Sequence, residues 1–145
     1  MIKLKNNILS KIVVIAHDNC KPDLLDFLME RKSWFFGRQI VATGRTAEYL
    51  EGGKLNLPLI HVNKGSDGGY LQIVEMIKNG EVAIVFFFRD ANIVQPYHDD
   101  ICKLLNTCDL LNIPISTNRS GSELLIIGKI RMEASEKIQS KFNSN

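Results

Sequence analysis

Five polar stretches hold most of the side chains in this 145-residue sequence that could do chemistry. They read HDNCK (His17 to Lys21), TGRT (Thr43 to Thr46), NKGSDGGY (Asn63 to Tyr70), RDANIVQPYHDD (Arg89 to Asp100) and TNRSGS (Thr117 to Ser122). In TGRT, Thr43, Gly44, Arg45 and Thr46 stand where an apolar run gives way to a helical pattern. The first N–H groups of a helix lack intrahelical acceptors and carry partial positive charge. Two hydroxyls and a guanidinium add donors to them. Lys21, Lys64 and Gly65 stand on neighbouring stretches and could close around the same anion. Taken alone, TGRT fits an ordinary helix cap as well as a phosphate site. The two lysines favour phosphate. Neither a Walker A motif nor GxGxxG is present, so a dinucleotide is not expected.

GSDGGYLQI (Gly65 to Ile73) puts three glycines, a serine and Asp67 ahead of an apolar helical run. A turn of that kind, built on Gly65, Gly68 and Gly69, can present backbone N–H groups to an anion. Tyr70 stands at the mouth of the helix that follows. His17, directly after the first apolar run, could polarise a carbonyl or move a proton, or could serve as a hydrogen-bonded structural residue. Asp90, His98, Asp99 and Asp100 offer carboxylates and an imidazole, yet the last three also suit a helix start. His17, Cys20, His98 and the nearby carboxylates match no metal-ligand spacing, so neither a metal nor a cofactor is expected. Cys20, Cys102 and Cys108 include no CxxC pair and leave one odd. That suits reduced thiols in a cytosol, packed as small hydrophobes.

The elements that must position these residues alternate. Apolar β-branched runs at 11–16, 38–43, 58–62, 82–88 and 113–117 predict strands. Helical periodicity follows at 21–35, 46–53, 70–80 and 98–112, the last capped by Asp99 or a neighbour. A tail from Ser120 to Phe142 is helical in composition, with an interruption expected at Gly128. The rhythm predicts an α/β class protein: one three-layer α/β/α domain over 1–145 around a five-stranded parallel sheet, with its core at about 11–127. Ligands of such sheets bind outside the carboxyl ends of the strands, where all five polar stretches fall.

Bulk properties exclude several classes. Apolar residues at 45% and charged residues at 23% suit a globular chain. A net charge of +2 is too small to argue for nucleic acid or an acidic membrane surface. The longest apolar run, VAIVFFF (Val82 to Phe88), is far short of the roughly 20 residues a bilayer requires. The first residues, MIKLKNNILS, lack the apolar segment of an export signal, which again points to the cytoplasm.

Taken together, IAHDNCK, ATGRT, GSDGG, FFFRD, PYHDD and NIPISTN resemble the methylglyoxal synthase family from about Lys11 to Ile127. The family pattern is approximately AHDxCK, ATGTT, SGPxGGDQQ, FFWDP, PHDPD and NIPVATN. The resemblance implies a five-stranded α/β/α fold assembled as a homohexamer. It also implies conversion of dihydroxyacetone phosphate to methylglyoxal and phosphate. It places the substrate and its phosphate among Asp18, Lys21, Thr43, Gly44, Arg45, Thr46, Lys64, Gly65, Gly68 and Gly69. It matches His17, Asp90 and Asp100 to catalytic positions, with His17 and His98 handling protons on the enediol oxygens. Arg45 and Lys64 replace a threonine and a serine, adding positive charge. The family's base, an aspartate after the glycine pair, is Tyr70 here, and an unperturbed phenol with a pKa of about 10 is a poor base. Asp67, across the glycine pair, or Asp100 would then abstract the proton. The family histidine aligns on Tyr97, one place before His98. Two functions follow: a synthase, or a module on the same fold that binds a phosphorylated metabolite without turning it over.

Overall fold

In the strand KIVVIA, every side chain from Ile12 onward is buried. A strand with both faces covered must sit inside a sheet. The computed structural model, which describes residues 10–143, puts it there. This strand, β1 (Lys11–Ala16), pairs in parallel with β2 (Gln39–Ala42) on one side and β4 (Val82–Phe88) on the other. β3 (Leu59–His61) and β5 (Ile115–Ser116) complete a five-stranded parallel sheet in the order β3-β2-β1-β4-β5. The stretch read as lacking an export signal lies, Ser10 apart, outside the described residues.

Side chains alternate across a strand, so the sheet has two apolar faces. Ile12, Val14, Ala16, Phe86 and Phe88 pack with Leu24 and Phe27 of α1 (Lys21–Glu30), Leu50 of α3 (Gly44–Gly52) and Ile126 of α6 (Arg119–Asn143). Val13, Ile15, Val85 and Phe87 pack with Ile73 and Val74 of α4 (Gly69–Lys78) and Ile101 and Leu104 of α5 (His98–Leu110). Each fully buried side chain of this size contributes about 1.5–3 kcal/mol. The result is the expected α/β/α sandwich. β1 lies where the strand order reverses, and the crevice outside its carboxyl end is the favoured ligand position in such a sheet.

The helices differ from expectation in four ways. The predicted helix over 21–35 breaks at Arg31 into α1 and the short α2 (Lys32–Phe35). α3 starts at Gly44, two residues before the expected Thr46. α5 has Tyr97 at its cap position without a side-chain bond, and Asp99 and Asp100 fall inside its first turn. The tail is not interrupted at Gly128, because α6 runs unbroken through it. Arg38 holds that helix down: its Nη1 and Nη2 each donate to Glu133 at 2.8 Å, while the guanidinium stacks 4.0 Å over Trp34. Cys108 is fully buried as expected, whereas Cys20 and Cys102 are half-buried. Among the described residues no helix is long and apolar enough to cross a membrane.

Candidate functional site

The end of β1 organises the site through backbone atoms. The His17 N–H donates to the Phe88 carbonyl at 3.1 Å, carrying the β1–β4 ladder one residue beyond the strand. This puts the imidazole edge-on to Phe87 with its Nδ1 accepting the Asp90 N–H at 2.8 Å. An Nδ1 that accepts places the neutral ring's proton on Nε2. Nε2 is buried and finds no partner among the described residues. Burial, then the charges of Arg89 and Lys21, hold the His17 pKa below the ordinary histidine value. His17 is therefore a neutral donor at neutral pH.

Lys21, the first residue of α1, is 7% exposed. Its Nζ donates to the Ala16 carbonyl at 2.8 Å and to Asp18 Oδ1 at 2.7 Å. The Lys21 hydrogen bond leads the forces that hold the Asp18 carboxyl below its usual range. Arg45 Nη2 reaches the other Asp18 oxygen at 3.1 Å. The Thr46 hydroxyl accepts the Ala16 N–H at 3.3 Å, and the Thr43 hydroxyl donates to Thr46 at 3.2 Å. No side chain caps α3, so the positive end of that helix faces the same space.

The loop after β3 closes the site. A 3-10 turn over Gly65–Asp67 leads into Gly68, whose φ of 87° favours glycine. A Cβ on Gly69 would run into the Asn63 carbonyl oxygen, so only glycine permits this close passage. The turn delivers Tyr70, 3% exposed, to a stack between Phe87 and Tyr97, each ring centre 5.7 Å away. Burial pushes the Tyr70 phenol far above its ordinary value, and the Tyr97 phenol upward too.

A cavity of about 30 Å³ lies among these groups. It is lined by polar residues of the β1 and β2 ends (His17, Asp18, Lys21, Thr43, Arg45 and Thr46), by Ala16, and by Gly65, Tyr70, Gln95 and Tyr97 from the later loops. That volume suits water-sized groups.

Eight of the expected site residues thus meet: His17, Asp18, Lys21, Thr43, Arg45, Thr46, Gly65 and Tyr70. Gly44, Gly68 and Gly69 do not line the cavity. Lys64 is exposed beside Gly44 and does not line the cavity. Asp67 faces outward on the 3-10 turn. His98 turns along α5, its Nε2 3.4 Å from Cys102 Sγ, so Tyr97 takes the place facing the cavity. Asp100 lies outside the lining. Asp90 acts from behind: its N–H fixes His17, and its carboxylate accepts from Asn19 and the Asn92 N–H. Gln95 was not anticipated; it lies in an irregular loop where neither period nor motif marks it. Among the described residues no three His, Cys, Asp or Glu side chains stand close enough to hold a metal.

Comparison with known proteins agrees with this geometry. A model of the MGS-like domain matches residues 24–117. A methylglyoxal synthase of Carboxydothermus hydrogenoformans is 39% identical over 116 residues, covering 80% of this chain and 95% of that protein. A methylglyoxal synthase of Moorella thermoacetica is 34% identical, covering 80% of this chain and 90% of that one. The crystal structure of methylglyoxal synthase from Elizabethkingia anophelis superposes with a TM-score of 0.74 at 26% identity, over 81% of this chain and 77% of the other.

Proposed function

This chain belongs to the MGS-like domain family, and on that footing we propose that it converts dihydroxyacetone phosphate to methylglyoxal and inorganic phosphate. One observation supports the assignment above others. A buried lysine, two threonine hydroxyls, an arginine and a neutral imidazole converge on one cavity at the carboxyl ends of β1 and β2.

The phosphate dianion is held by Lys21 Nζ, the Arg45 guanidinium, the Thr43 and Thr46 hydroxyls and the first N–H groups of α3. His17 Nε2–H donates to the substrate carbonyl oxygen. As the proton leaves the hydroxymethyl carbon, negative charge grows on that oxygen, and a buried donor already in place stabilises it without reorganisation. The enediolate then expels phosphate, which departs with the C–O electron pair. Fixing the phosphate also fixes the bond that must break relative to His17. The reaction requires no metal, cofactor, nucleic acid or membrane. By family likeness, residues 1–145 act as one cytoplasmic domain within a homohexamer, which light scattering would measure.

The direct test incubates the purified protein with dihydroxyacetone phosphate and follows methylglyoxal and phosphate together. Both are expected to rise in equal amounts. If both stay at background while phosphate still binds, the protein is a binding module and the synthase assignment fails.

A further inference from the structure

The proposed reaction needs a base, and most of the cavity's side chains cannot serve. His17 has its Nδ1 committed to the Asp90 N–H and its proton on Nε2. Tyr70 and Tyr97 keep their phenol protons, as burial disfavours the phenolate of both. Lys21 and Arg45 are cationic, and Thr43, Thr46 and Gln95 are not basic. Asp67 is exposed and outside the lining, and Asp90 spends its oxygens on Asn19 and the Asn92 N–H. Among the described residues, Asp18 is the one carboxylate in the lining.

Its position fits the task. Asp18 is held at the rim between two cations, Lys21 at 2.7 Å and Arg45 at 3.1 Å. The Lys21 bond is buried at the nitrogen end; the Arg45 bond joins two exposed side chains. Exposed pairs are weak and readily exchanged. A phosphate dianion offers Arg45 more charge and more acceptors than Asp18 does.

We propose that Asp18 is the base for the carbon-bound proton, and that Arg45 is a latch which releases one Asp18 oxygen when it turns to the substrate's phosphate. This rests on the synthase function above. Asp18 Oδ2 takes the proton from the hydroxymethyl carbon. The C–H electron pair becomes the C=C bond, and the carbonyl π pair moves onto the oxygen held by His17. The neighbouring hydroxyl proton passes to that oxygen, and the pair it leaves behind drives the C–O bond of the phosphate open. Loss of phosphate leaves an enol: its O–H pair re-forms the carbonyl as the new C=C pair takes a proton at the terminal carbon, so of the two protons lost from the hydroxymethyl group one ends on the new methyl carbon and one on phosphate. No oxidant or reductant enters.

The test is Asp18→Asn, with Asp18→Glu beside it. Turnover of dihydroxyacetone phosphate by Asp18→Asn is expected to fall by about 10²–10⁴-fold, the range for loss of a positioned base. Its affinity for inorganic phosphate, by calorimetry, is expected to hold or rise, because the amide no longer competes for Lys21 and Arg45. Asp18→Glu should recover part of the turnover. Asp18→Asn turnover within about threefold of wild type, or phosphate affinity lost in step with turnover, overturns the assignment while leaving the synthase function intact. A wild type that binds phosphate but makes no methylglyoxal removes the function itself, and the base with it.

Discussion

The two sides of the cavity are held by different forces. On the β1 side, Lys21 and Thr46 bond to the backbone of Ala16, and His17 bonds through Nδ1 to the Asp90 N–H. On the aromatic side, Tyr70 is held by its ring faces, stacked on Phe87 and on Tyr97. A side chain fixed by two hydrogen bonds to strand ends must keep its type, length and donor pattern. A stacked ring needs only to be flat and apolar. The difference sets how much substitution each set of residues can tolerate. It predicts severe effects from changes on the polar side and mild ones on the aromatic side.

After Asp18→Asn, His17→Ala should have the largest effect. Removing a donor to a developing oxyanion is expected to lower kcat by about 10²–10³-fold while leaving phosphate affinity nearly unchanged. The same residue predicts a pH dependence of stability. Its folded pKa is depressed, so below about pH 6.5 the unfolded chain binds the proton first. Stability therefore falls as pH drops from that point towards the folded value. His17→Gln should lose less melting temperature than wild type between pH 7 and pH 5. An equal loss in both would show that His17 is not the group responsible.

Lys21→Ala should come next. Charge-assisted hydrogen bonds contribute about 1.5–3 kcal/mol, so phosphate affinity should drop by roughly 10- to 150-fold. Calorimetric titration with inorganic phosphate measures it. The effect should exceed that of Lys64→Ala, since Lys64 is exposed and outside the lining. Equal losses would mean that the cavity closes around phosphate more widely than its present lining indicates.

Tyr70→Phe breaks the comparison if the aromatic side does chemistry. The substitution keeps the stack and removes only the hydroxyl, so turnover and melting temperature should stay within about threefold and a degree or two of wild type. A loss of about a hundredfold in turnover would make the phenol a proton donor, an effect of the size general acid catalysis supplies.

The same contrast separates what sequence revealed from what it hid. Apolar runs marked the strands, and their polar ends named eight of the side chains that meet in the cavity. Residue type suffices there, because a strand end fixes where the next residue points. It does not suffice where a turn sets the angle. The 3-10 turn leaves Asp67 exposed while Gly65 lines the cavity, although they are two residues apart. The start of α5 makes Tyr97 face the cavity and sends His98 along the helix to Cys102. Helix phase at a boundary depends on packing against Phe87 and Tyr70, and no local motif encodes that.

Gly128 shows the same limit far from the site, and its substitution should have the smallest effect. A glycine inside a helix costs roughly 0.5–1 kcal/mol relative to alanine, which suggested a break in the tail. The helix persists because contacts on both sides of Gly128 hold it: Ile126 is buried under the sheet, and Glu133 is clamped by Arg38 and Trp34. Those contacts outweigh one poor helix former. An added methyl at 128 meets no atom within 4 Å. Gly128→Ala should therefore raise stability by about 0.5–1 kcal/mol in thermal or urea unfolding, with phosphate affinity unchanged. A variant no more stable than wild type would mean that residue 128 is not helical in solution, and that the tail divides there after all.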